Sequence, residues 1–342
     1  MRAVRVREHG GVDRLELTEL PRPRPGANEV LVEIRAMALN HMDVWVRRGV
    51  PGHTFPLPLT LGCDGAGVVA EVGSAVRHVR PGDEVMVLPG TSCGVCEACL
   101  LGRDPLCREY GILGETRDGT CAECVVVPAA NVQRKPQSVP FTTAAAFALT
   151  FQTAWHMLAN RAELRAGETV LVQAAGSGVG SAGVQIGKLL GARVVALVGG
   201  PDKVAAAQAL GADVVLDHTA QPFAKAVKEL THGRGVDVVF EHVGAATFND
   251  SVKCLTRGGR LVICGATSGA QVTIHLNQLF YKSLSFLGST MGSKGDLVRL
   301  IDWLGQGRLK PVVGQVLRLD QVRDAHQLLE ERKVFGKVVL VP

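Results

Sequence analysis

The chain has 342 residues, 46% of them hydrophobic, which suits two cores better than one ordinary one. Its formal net charge of +5 is dispersed, and no basic run is interleaved with aromatic residues, so nucleic acid is not an expected partner. Nine cysteines, an odd number with no secretory pattern at the start, favour metal binding or free thiols over disulfides.

Residues 1–6 alternate as a strand, and no apolar segment follows their charges. Apolar runs such as 170–172 and 194–198 are far shorter than a membrane span. A cytoplasmic location with no membrane partner is the expectation.

Residues 1–140 read as short strands between turns, with segments 30–35 (VLVEIR), 67–73 (GVVAEVG) and 81–87 (PGDEVMV) the clearest. Helical periodicity is almost absent there, which predicts an all-β unit. The pattern changes near Ser138. An Ala-rich stretch, 141–158, predicts a helix that Thr142 or Thr143 is placed to cap.

Strands and helices then alternate. Strands are predicted at 169–174, 193–198, 214–216, 236–240, 260–264 and 284–288. Helices are predicted between them at 179–190, 203–210, 223–231 and 246–255. The strands are continuous apolar runs, as expected where helices cover both faces of a parallel sheet. This is the pattern of a doubly wound α/β Rossmann domain. A helix at 297–305, a strand, a helix at 321–332 and the strand 338–341 complete the chain, and the last strand needs a host in the N-terminal unit.

Cys93, Cys96, Cys99 and Cys107 are separated by two, two and seven residues in a Gly-containing loop. Four thiolates so spaced close on one tetrahedral zinc and leave no open position, so the site is structural. Cys121 and Cys124 lie in an expected strand, where residues three apart point to opposite faces and cannot share an ion without a break. Cys254 and Cys264 read as core cysteines.

Residues 170–183 (VLVQAAGSGVGSAG) run from a strand into a helix. Exposed backbone amides at such a helix start cradle a pyrophosphate, and the helix dipole favours its charge. The working turn is Ala175-Gly176-Ser177-Gly178-Val179-Gly180, offset from the literal GxGxxG match that ends at Gly183. The second strand ends at Val198-Gly199-Gly200, with no carboxylate before Asp202 to grip the ribose of NAD, and Lys203 stands nearby. NAD or NADP is expected, with NADP favoured by the missing acid.

An N-terminal β unit, this cysteine loop, a Rossmann domain and a returning C-terminal segment together resemble the medium-chain dehydrogenase/reductase superfamily. Its markers here are Gly62-Cys63-Asp64-Gly-Ala-Gly, Pro81-Gly-Asp-Glu-Val, Thr153-Ala-Trp, Gly176-Ser-Gly-Val-Gly180 and Gly336-Lys337-Val-Val-Leu. The resemblance implies a GroES-like β-barrel catalytic domain (1–140, zinc lobe 93–107), a Rossmann domain (141–290) and a segment (291–342) returning to the first. It places a small-molecule substrate in the cleft between the domains.

The resemblance also separates two branches. Zinc alcohol dehydrogenases hold a catalytic zinc with a Cys in the segment that here reads Leu39-Asn40-His41-Met42-Asp43, a His-Glu pair where this chain has Cys63-Asp64, and a further ligand near Leu149. Asn40 and Leu149 are poor ligands, which leaves Cys63 and Asp64, with His41 as an unusual third. Quinone oxidoreductases and related reductases lack that zinc and carry Asn at the position of Asn40, followed by a segment like 43–49 (DVWVRRG).

His41 and Lys337 are implied at the coenzyme pyrophosphate, and Val243, Gly244, Gly265, Ala266 and Thr267 at its adenine-ribose and nicotinamide ends. The expected reaction is therefore hydride transfer from nicotinamide to a carbonyl, quinone or activated alkene. Asn40 donates to the acceptor oxygen in this reading, water or a side chain such as His41 supplies a proton, and one structural zinc is bound per chain. A zinc-dependent alcohol dehydrogenase and a non-catalytic dinucleotide-binding protein are the alternatives. A homodimer or homotetramer is expected, formed through the edge of the strand 284–288.

Overall fold

The computed structural model describes residues 1–342 as two compact units, Met1–Leu149 with Ser293–Pro342, and Thr150–Gly292. No helix is long and apolar enough to cross a membrane.

The first unit is built on the ten-residue strand Glu29–Ala38, most of which is buried. It pairs antiparallel with Asp64–Val72 and Cys124–Pro128. The C-terminal strand Lys337–Val341 finds its host on the same strand, with Val339 opposite Ala38 and Leu340 opposite Met37. Beyond it Val313–Arg318 pairs in parallel, and Glu84–Val87 and Val132–Arg134 extend the other side. A smaller sheet orders Glu16–Glu19, Arg2–Val6 and Leu59–Thr60.

This unit is not all β. Residues His41–Arg48 form a helix whose buried face includes Asp43 and Arg47 as well as Val44 and Val46. Charged residues on the inward face hide the apolar periodicity that announces most helices. Cys121 also departs from expectation. The strand begins only at Cys124, and Cys121 lies in the preceding segment, with its N–H donated to the Leu61 carbonyl at 2.8 Å.

The second unit is a six-stranded parallel sheet. Its spatial order is Val214–Asp217, Arg193–Val198, Thr169–Val172, Val236–Glu241, Leu255–Ile263 and Ser285–Gly288. Numbered by sequence, that is the 3-2-1-4-5-6 order of the doubly wound fold, with its switch point between Thr169–Val172 and Val236–Glu241. Leu171, Val195, Val239 and Leu261 pack from the sheet against Val227 and Val252 of the covering helices. Cys254 is buried there, whereas Cys264 is only half-buried, at the end of its strand.

The predicted helix 141–158 is three pieces, Phe141–Ala145, Ala148–Trp155 and a π-helical turn, His156–Arg161. Pro140, not Thr142 or Thr143, precedes the first. Pro fits that place because it has no N–H to leave unsatisfied and its φ is already fixed. The segment before Ser285–Gly288, where no helix is predicted, contains a short helix, Leu276–Tyr281.

Candidate active site

A buried polar cluster forms just past the end of the strand Glu29–Ala38. Asn40 caps the following helix, and Asp43, fully buried, reaches back to accept the Asn40 backbone N–H at 2.7 Å. The other Asp43 oxygen accepts the Gly62 N–H at 2.9 Å, which ties the helix start to the turn presenting Cys63 and Asp64. Gly62 has φ +92°, and a Cβ there would lie 2.7 Å from Cys121 Sγ, so only glycine fits.

Asp64 is fully buried and fully engaged. One oxygen accepts the Leu149 N–H at 2.8 Å. The other accepts Asn40 Nδ2 at 2.8 Å and Lys337 Nζ at 3.1 Å. Its carbonyl takes the Thr120 hydroxyl at 2.8 Å. Lys337 also donates to Asn40 Oδ1 at 2.5 Å. Lysine has no acceptor, so this contact fixes the amide: oxygen to Lys337, nitrogen to Asp64 and, at 3.2 Å, to Cys63 Sγ.

Two expected roles change as a result. The Asn40 nitrogen, expected to face the acceptor oxygen, is committed inward to Asp64 and Cys63. Lys337, expected at a pyrophosphate, is buried, with Asn40 and Asp64 as its side-chain partners.

The cluster does not fit a catalytic zinc, which requires three protein ligands and an open position. Cys63 and Asp64, the metal-capable pair, both face N–H donors, and an ammonium already stands 3.1 Å from the carboxylate. Burial, with Asp64 and Asp43 nearby, pushes the Cys63 thiol well above its usual range. His41 lies edge-on to Trp45 at 5.3 Å between ring centres and is not gathered with Cys63 and Asp64.

Burial also pushes the Asp43 carboxyl up to about 6, against the lowering effect of the two backbone N–H groups and Lys337. In the unfolded chain this group ionises near 3.8, so between the two values the folded state binds the extra proton. Its contribution to stability is full below about pH 4 and is lost as pH rises through 6, an effect of about 3 kcal/mol. Denaturant unfolding of the wild type and Asp43→Asn from pH 3.5 to 7 measures this. The wild type is expected to lose stability relative to the variant across that window. A pH-independent difference would refute the assignment.

The cysteine lobe is a second, separate centre. The Sγ atoms of Cys93, Cys96, Cys99 and Cys107 all lie within 4.8 Å of one another, and no other group of His, Cys, Asp or Glu side chains is gathered so closely. Backbone N–H groups of Val95 and Cys96 hold the Cys93 thiol down at about 7. Sulfurs already accepting N–H bonds and close enough to share an ion suit one tetrahedral zinc, which these four residues would hold. Asp104 anchors the lobe by accepting the Lys294 N–H at 3.2 Å, at the start of the helix Lys294–Gly305.

The dinucleotide loop follows Thr169–Val172. Ser177 caps the helix Gly178–Leu189, its hydroxyl accepting the Gly180 N–H at 2.9 Å, which leaves the Gly178 and Val179 amides at the helix start for an anion. A Cβ on Gly180 would lie 2.2 Å from the Ala174 carbonyl, so the helix approaches the turn this closely only with glycine. Ala175 is buried beneath the turn, and Gly176 lies within it. Ala174 itself has φ +43°, a strained value for alanine. The Thr153 hydroxyl is buried with no protein partner, as an atom awaiting a ligand would be. These features fit a nicotinamide dinucleotide.

Three residues of this unit escaped sequence reasoning. Asp217 ends the neighbouring strand opposite Val198 and accepts the Gly200 N–H at 3.0 Å, so a carboxylate does stand at the end of the second strand. His218 Nε2 would be 2.9 Å from a Cβ on Gly199, and Lys203 follows in the turn Pro201–Lys203. Glu241, fully buried, accepts the Val243 and Gly244 N–H groups at 2.7 and 3.1 Å and so fixes that loop. The Ser268 hydroxyl donates to the Val243 carbonyl at 2.7 Å, joining that loop to the one carrying Gly265, Ala266 and Thr267.

Comparison with known proteins agrees with this architecture. The families described as "Alcohol dehydrogenase GroES-like domain" and "Zinc-binding dehydrogenase" match residues 26–137 and 178–306. A solved NAD-dependent alcohol dehydrogenase is 52% identical over the full length of both chains, with a TM-score of 0.96. The NAD-dependent alcohol dehydrogenase of Sulfurisphaera tokodaii is 31% identical over the whole of both chains. The acryloyl-coenzyme A reductase of the same organism is 26% identical over 96% of each.

The chain belongs to the zinc-binding alcohol dehydrogenase family, within the medium-chain dehydrogenases and reductases. It is an NAD(P)-dependent dehydrogenase/reductase, which sets aside the non-catalytic alternative.

Proposed function

We propose that this enzyme reduces the C=C bond of a conjugated carbonyl with a nicotinamide coenzyme and uses no zinc at the reaction site. The observation that carries the reading is Lys337, whose ammonium stands against Asp64 and Asn40, two of the positions to which the resemblance assigns the ligands of a catalytic zinc. Alcohol oxidation must strip a hydroxyl proton, which zinc makes possible by lowering its pKa.

A conjugated acceptor needs no such activation. Hydride adds to its β-carbon, the C=C electron pair moves toward the carbonyl, and the negative charge shared by oxygen and the α-carbon is discharged by a proton that ends on the α-carbon, directly or through the enol. We assign that protonation to His41, half-buried at the first position of its helix, or to water. The buried ammonium of Lys337 supplies the positive field, and Asp43 positions the helix. The similarity to a reductase named for acryloyl-coenzyme A, an α,β-unsaturated thioester, supports the same class of acceptor.

For the coenzyme, Asp217 supplies the carboxylate whose absence had favoured NADP, and relatives named NAD-dependent agree. NADH is therefore the expected donor. One zinc in the cysteine lobe has a structural task in this reading. The strand Ser285–Gly288 ends its sheet with one edge unpaired, which supports assembly with a second copy.

A zinc-dependent alcohol dehydrogenase is the second reading, favoured by the name of the 52% identical structure. Steady-state assays separate the two. NADH oxidation by enones, with no NAD reduction by primary or secondary alcohols, is expected. Alcohol-dependent NAD reduction with no enone turnover would overturn the proposal.

A further inference from the structure

We infer that the apolar cavity beside the His41–Arg48 helix is the subsite for the acceptor's tail, and that the enzyme prefers a neutral apolar tail of about five or six carbons. This rests on the reading of the chain as a conjugated-carbonyl reductase.

The cavity measures about 190 Å³ and is walled by Met42, Trp45, Val46, Val50 and Phe55, with His53 and Glu115 beside them. Two contacts on one glycine tie the segments that wall it to the polar cluster. Met42 immediately precedes Asp43, whose carboxylate holds the Gly62 N–H at 2.9 Å. Glu115 immediately follows Gly114, whose backbone packs so closely on Gly62 that a Cβ there would lie 2.6 Å from the Gly62 nitrogen. Gly62 in turn directly precedes Cys63. The two walls of the cavity are thus each one residue from a contact with the turn that presents Cys63 and Asp64.

Size and polarity define the occupant. A cavity of roughly 150 Å³ lined by aliphatic and aromatic side chains holds a benzene molecule, so this one admits a pentyl or hexyl chain or a single ring. Five of its seven lining residues are apolar, and they reward methylene groups. Glu115 is the discriminating residue. His53 Nε2 is 3.9 Å from its carboxylate. A carboxylate in an apolar wall repels an acceptor whose tail ends in another carboxylate.

The test compares pent-3-en-2-one, with a methyl tail, and non-3-en-2-one, with a pentyl tail. Burial of one methylene gives about a fourfold gain, so the wild type is expected to favour the longer enone in kcat/KM by at least about tenfold. Val50→Phe puts a larger side chain on a lining residue and is expected to abolish that ratio. Val50 is 38% exposed, so the larger side chain is accommodated without disturbing the core.

Trp45→Ala is expected to move the optimum to tails longer by two or more carbons, and Glu115→Gln to raise turnover of the ω-carboxylated analogue. Equal kcat/KM for the two enones, or the same ratio in wild type and Val50→Phe, would overturn the subsite. Calorimetric binding of the saturated ketones pentan-2-one and nonan-2-one keeps the subsite separable from the reaction. Tighter nonan-2-one binding that Val50→Phe removes supports it even if no enone is reduced, and equal binding overturns it.

Discussion

Lys337→Met is expected to lower stability by about 3–5 kcal/mol and to cut enone reduction by about two to three orders of magnitude. The first effect follows from Asp64, a fully buried carboxylate that would lose its only cationic hydrogen-bond partner. Removing one member of a buried pair strands the other charge in a medium that cannot solvate it. The second follows from the field of the ammonium, which stabilises the negative charge growing on the acceptor oxygen.

The two effects part in the double variant Lys337→Met, Asp64→Asn. With no stranded charge, most of the stability is expected to return, as read by denaturant unfolding. Activity is expected to stay low, because the positive charge is still missing. Full recovery of activity in the double variant would show that Lys337 serves only to balance Asp64.

Cys107→Ser is expected to empty the cysteine lobe of zinc and to lower stability by at least about 3 kcal/mol, since binding free energy at a structural zinc is folding free energy. Cys107 is the buried member of the four, with its sulfur 3.6 Å from Cys93 Sγ. Metal analysis and thermal unfolding of the variant check both parts. Cys254→Ser, in the core of the Rossmann unit, is the control and is expected to keep its zinc. A lobe variant with undiminished zinc would place the metal elsewhere.

The parts of the molecule legible in sequence are those governed by local periodicity. The Rossmann strands read as continuous apolar runs because helices cover both faces, and the loop from Ala175 to Gly180 reads because its residues are small where Gly180 closes on the Ala174 carbonyl. The cysteine lobe is equally local, with all four ligands inside fifteen residues. The helix His41–Arg48 was hidden because Asp43 and Arg47 face inward, where a pattern search expects apolar residues.

The polar cluster was the hardest part to read. The resemblance makes Asn40 a poor metal ligand beside the metal-capable Cys63 and Asp64, but nothing near them in sequence says what partners they find. Lys337, the partner that Asp64 and Asn40 find, lies 273 residues beyond Asp64 and arrives only because the C-terminal strand pairs beside Ala38. Asp217 escaped for a related reason, since the carboxylate at the end of the second strand comes from the third. Long-range pairing leaves no mark in a window of eighteen residues or fewer.

In the proposed reductase Lys337 stands against Asp64 and Asn40, and no zinc takes part in the reaction. Zinc content per folded chain, measured on a preparation that reduces enones with NADH, tests it most directly. One zinc per chain, lost on Cys107→Ser and unchanged in Cys63→Ser, is the predicted result. Two zincs per chain, one of them lost with Cys63 together with alcohol oxidation, would contradict it.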